Sequence, residues 1–182
     1  MARTRRPAAV AAALALPIAL AAGVITAAVV TQHGQTSAKT GPVVVAAVPA
    51  PASGSAGCSA LLGALPDNLG DAAKAELASP APAGAAAWRA SGTTKPLVLR
   101  CGIERPAEFD QAAPLVVVNG VQWLQISGAS AGIDGTTWVA VDRGTYVGLT
   151  LPNGAGSAAL QDASNVIKTV MPPQALDPAP VR

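Results

Sequence analysis

The chain has 182 residues, 51% of them hydrophobic and only 12% charged, with a formal net charge of +2. Three of its twelve cations are Arg3, Arg5 and Arg6, so from Thr31 onward nine Lys and Arg stand against ten Asp and Glu and the net charge is −1. That balance leaves no basic surface for nucleic acid, and a lone histidine, His33, leaves no Ser-His-acid triad or imidazole zinc site for a domain downstream of it.

The first predicted element is residues 8–30, an uncharged run of 23 residues directly after the three arginines. Cations followed by an apolar stretch predict a helix that crosses a bilayer with its N-terminus inside. At 1.5 Å per residue it reaches about 35 Å, enough for a hydrocarbon core of about 30 Å. The expectation is a signal-anchor in the cytoplasmic membrane with the remaining chain outside. The alternative is a secretory signal cut after Ala19-Leu20-Ala21, which exports the same remainder. The organisation then reads as a basic cytoplasmic segment 1–7, a transmembrane helix 8–30, a tether 31–57 rich in Pro, Ala, Ser and Gly, an exported domain 58–172 and a disordered tail 173–182. Inside the tether, the valine-rich residues 43–48 read either as tether or as an edge strand stopped by Pro49.

Residues 58–65 carry apolar side chains at helical spacing before Pro66 and predict a short helix. Residues 71–77 open on Asp71, use good helix formers and predict a second. Residues 83–89 suit either a helix or a strand. After Pro96 the pattern changes to period two with β-branched residues. Residues 97–101 predict a strand, and 115–118 with 121–126 flank Asn119-Gly120, the signal for a type I′ hairpin. Residues 136–141 and 145–151 form a second hairpin around Asp142-Arg143-Gly144. In 121–126 neither face is cleanly polar, which predicts a sheet covered in part on both sides. Residues 158–170 place Ala159, Ala163, Val166, Ile167 and Val170 on one stripe, a terminal amphipathic helix. The fold class expected is α+β: an antiparallel sheet of about five strands, short N-terminal helices before it and an amphipathic C-terminal helix after it.

Cys58 and Cys101 are the two cysteines, and both belong to the exported portion, where a bridge is the expected state. Closing a loop of about 44 residues corresponds to about 4 kcal/mol in the chain-entropy model. Their spacing excludes a Cys-x-x-Cys redox motif. The carboxylates Asp67, Asp71, Glu76, Glu104, Glu108, Asp110, Asp134, Asp142 and Asp162 are scattered, and no catalytic, cofactor-binding or metal-binding residue is assigned. Glu104, Glu108 and Asp110 beside Arg105 read as a solvated loop, and Asp142-Arg143 as exposed turn chemistry. Arg100, on a strand between apolar residues, needs a carboxylate, a carbonyl or a ligand. Trp88, Trp123 and Trp138 read as core fillers in a chain with 3% aromatics, with an exposed ligand-stacking role as the other use for any one of them.

Cys58-Ser59-Ala60-Leu61-Leu62 with Leu65-Pro66, Leu99-Arg100-Cys101-Gly102, Val118-Asn119-Gly120-Val121-Gln122-Trp123, Thr137-Trp138-Val139-Ala140-Val141-Asp142-Arg143 and Tyr146-Val147 follow one another in a familiar order. Together they resemble an actinobacterial family of secreted or single-pass membrane proteins classed as a domain of unknown function, over about residues 43–172. The resemblance implies an envelope protein with paired cysteines; it supplies no catalytic residue, cofactor or substrate. The functional expectation is a non-enzymatic binding or accessory module with an envelope protein partner. A carboxylate-dependent hydrolase or transferase acting on envelope polymers and a structural subunit of a membrane complex are the alternatives.

Overall fold

The structure, a computed structural model, describes residues 41–129 and 134–181. The predicted cytoplasmic segment, the transmembrane run 8–30, His33 and the first part of the tether lie outside the described residues. Among those described, no helix is long and apolar enough to cross a membrane.

The elements in chain order are α1 (Ala56–Ala64), β1 (Asn68–Leu69), β2 (Ala72–Ala75), β3 (Ala85–Ala90), β4 (Leu97–Ile103), β5 (Leu115–Val118), β6 (Val121–Ser127), β7 (Gly135–Ala140), β8 (Tyr146–Pro152) and α2 (Ala158–Val170). The eight strands form one antiparallel sheet in the order β1-β2-β3-β4-β8-β7-β6-β5. Two four-stranded meanders therefore meet where β4 pairs with β8. The α+β class with an antiparallel sheet stands, but the sheet has eight strands where five were expected.

The extra strands come from the segment before Pro96. Residues 71–77, expected as a helix, form β2, with Ala72 opposite Ala90 and Ala75 opposite Ala87 on β3. Helix propensity separates most residues by well under 1 kcal/mol, and a helix this short cannot hold itself. Pairing with the alanine-rich β3, which runs beside β4, decides the state. The helix at 58–65 does form, as α1, started by Ser55, whose hydroxyl accepts from Cys58 N–H at 3.2 Å. The Asn119-Gly120 turn has both residues at positive φ, 49° and 83°, as type I′ requires.

A flat sheet of eight strands would hold its edges about 34 Å apart. α2 has 13 residues, about 20 Å, yet touches both edge strands, β1 and β5, as well as β6. The sheet must curl around it. The concave side and the two helices enclose the main core, in which Trp88, Trp123, Leu99, Leu149, Val147, Ile167 and the bridged cysteines are fully buried. Cys58 on α1 and Cys101 on β4 are joined, with Cα atoms 5.5 Å apart.

The convex side is covered in part by chain that runs over it. Phe109, Leu124, Val139 and Val141 form one cluster there, and Val43, Ala87 and Val98 another. Val43, which the sequence left as either tether or edge strand, is 2% exposed and bridges Leu77 in parallel, so ordered packing begins well before residue 58. The strap continues to Ala52, whose N–H donates to Gly102 O at 3.1 Å. The proline-rich tail was expected as disordered. It is instead hydrogen bonded along the fold: Gln174 N–H to Asp142 O, Ala179 N–H to Phe109 O and Gln111 N–H to Ala179 O, at 2.8, 2.9 and 3.0 Å. Prolines on either side lack N–H groups and favour an extended path, which suits a strand-like strap.

Candidate binding groove

The three tryptophans, equivalent by composition, separate into two kinds. Trp88 and Trp123 are 0% exposed, and each indole N–H is satisfied, by Pro66 O at 3.0 Å and by Ser164 Oγ at 3.0 Å. Trp138 also points to the concave side, opposite Leu149 on β8 and Gln125 on β6, but it is only partly buried. Among the described residues its indole N–H has no hydrogen-bond partner. α2 runs from Gly70, whose N–H donates to Asp162, towards the Asn119-Gly120 turn, so it passes Trp123 and leaves Trp138 open.

Trp138 lines a shallow groove of about 370 Å³ whose walls are Thr136 and Trp138 on β7, Leu151 and Pro152 at the end of β8, and the loop 153–156 that leads into α2. Gly154 in that loop has φ +85° with open space where a Cβ would stand, so its left-handed backbone, not crowding, accounts for the glycine. None of the lining residues is charged. At the rim Asn153 donates to Asp134, which also pairs with Lys95. The hydrogen bond from Lys95, then its charge, lowers the Asp134 pKa. The carboxyl bonded to the groove's Asn153 is thus an ionised, internally paired group and is poorly suited to act as a general acid.

The residues singled out in the sequence go elsewhere. Asp142 and Arg143 are not exposed turn chemistry: they are 4% and 5% exposed. Arg143 pairs with the Asp142 carboxylate at 3.0 Å and donates to Gly120 O at 2.7 Å, which ties the two hairpin turns together. Arg105 pairs with Asp177 of the tail at 3.6 Å. Arg100 lies half-buried on the convex side, where desolvation lowers its pKa, and donates to Ala46 O of the strap at 3.4 Å. Among the described residues no group of three or more His, Cys, Asp or Glu is placed to hold a metal ion. Trp138 was legible only as one of three candidates; its Gln125 neighbour across β6 and β7 is the signal of a half-open face.

The geometry defines a small disulfide-bonded α+β domain in which a curled eight-stranded sheet and one helix leave a neutral, indole-lined groove at one corner. The chain belongs to the family described as Protein of unknown function (DUF3515), whose model matches residues 14–176. At that level the resemblance carried by the motifs holds. No curated protein and no solved structure matches the chain.

Proposed function

We propose that the protein is a membrane-anchored component of an actinobacterial cell envelope, held by residues 8–30 with its domain outside the cytoplasmic membrane, where it serves as a non-enzymatic binding or accessory module. The Trp138 groove carries this reading. It offers an indole whose N–H has no partner among the described residues, an uncharged lining and a rim carboxylate already paired, which are features of recognition more than of acid-base chemistry. The Cys58–Cys101 bridge agrees with an oxidising location, and the arginines before residue 8 agree with an N-terminus inside.

Full-length protein in detergent, mixed with insoluble envelope material and centrifuged, tests the reading. The expected result is co-sedimentation without release of soluble fragments from that material. Release that continues with time and is lost on substituting a single Asp or Glu would establish the carboxylate-dependent hydrolase instead. Absence of co-sedimentation would remove the binding module.

A further inference from the structure

We infer that the Trp138 groove takes an uncharged saccharide, a short stretch of a glycan chain laid against the indole. The inference rests on the reading of the domain as an envelope binding module. Two observations select this ligand class. The lining carries no charge, and the Lys95 and Asp134 charges at the rim neutralise each other, so a charged ligand would lose water there without gaining a counter-charge. The lining sets polar groups beside an apolar ring: the Trp138 N–H, the Thr136 hydroxyl and the Asn153 side-chain carbonyl oxygen have no protein partner among the described residues, while the partly exposed indole supplies apolar surface. A sugar ring has that same combination of C–H faces and hydroxyl edges.

The geometry also disfavours the other occupants. β7 is paired on both sides by β6 and β8, and β8 by β7 and β4, so the groove has no free strand edge for an extended peptide to join. At about 370 Å³ and open to solvent it is too shallow to enclose an acyl chain. The exposed Val44 belongs to the strap packed on the convex side and so adds nothing to an apolar patch here.

The indole N–H resonances of isotope-labelled full-length protein in detergent micelles test the assignment, because the chain has three tryptophans and two are closed off. Titration with cellotetraose and with tetra-N-acetylchitotetraose is expected to move one indole signal saturably, the one missing in Trp138→Ala, and to leave those of Trp88 and Trp123 in place. Trp138→Ala should weaken binding by about tenfold or more. Trp138→Phe, which keeps a ring and loses the donor, should fall between, and Asn153→Ala on the exposed turn should weaken binding without altering the remaining spectrum. If neither sugar moves the Trp138 signal, or if an uncharged apolar peptide moves it and the sugars do not, the saccharide assignment is overturned. Co-sedimentation with envelope material that survives in Trp138→Ala and is not competed by either sugar would overturn it too, while leaving the binding module standing.

Discussion

Gly102 sits at the irregularity where β4 shifts register against β8, and it is the point at which the N-terminal strap crosses the strand. Its φ is +85°, and a Cβ there would lie 2.6 Å from Ser53 Cα and nearer still to Ser53 N and Ala52 C. Two costs follow for Gly102→Ala. The left-handed backbone costs an alanine about 1–2 kcal/mol. The clash is with main chain and cannot be relieved by a rotamer, so the strap must shift, weakening the bond from Ala52 N–H to Gly102 O and the packing around it, at about 1–3 kcal/mol. The sum is about 2–5 kcal/mol, a large part of the stability of an ordinary domain. Gly92, in the β3–β4 turn, isolates the first cost: its φ is +77°, but nothing lies within 4 Å of its Cβ position. Gly92→Ala should therefore lose only about 1–2 kcal/mol. Urea unfolding of both oxidised variants, followed by tryptophan fluorescence, measures the difference. Equal losses in the two variants would refute the docking of the strap against Gly102.

Cys58→Ser with Cys101→Ser should lower stability by up to about 4 kcal/mol, seen as a lower urea midpoint that added reductant no longer changes. Ser164→Ala should cost about 1–3 kcal/mol in the same assay, because the buried Trp123 N–H loses its acceptor. Tyr146, the one tyrosine of the chain, has its pKa raised by burial and further by Asp177, with Arg105 opposing. The folded chain thus holds the phenolic proton more tightly than the unfolded chain does. This stabilisation is complete below pH about 10 and is lost as pH rises through the folded-state value. A phenolate absorbance titration should show a midpoint above that of the urea-unfolded protein, and Asp177→Asn should bring it down.

How far the sequence could be read depended on whether a segment's state was local. The Asn119-Gly120 turn, the strands on either side of it, α1 before Pro66 and the amphipathic stripe of α2 were all legible, because turn chemistry, proline and side-chain period act within a few residues. The same holds for the two cysteines as a pair. β2 and β3 were not legible, since alanine-rich segments are nearly neutral between helix and strand and only the neighbouring strands decided them. The strap from Val43 stayed undecided between tether and edge strand, and the tail through Ala179 was misread, for a related reason: their composition suits disorder, and what holds them is backbone pairing with distant chain. Asp142-Arg143 carries turn residues by composition, yet the convergence of the β5–β6 turn and the tail buries it. By itself the sequence determined the absence of histidine from the domain and the amphipathic helix that closes the core. Only the tertiary structure decided which of three chemically identical tryptophans stays open, because that depends on where a 13-residue helix crosses a curled sheet too wide for it to cover.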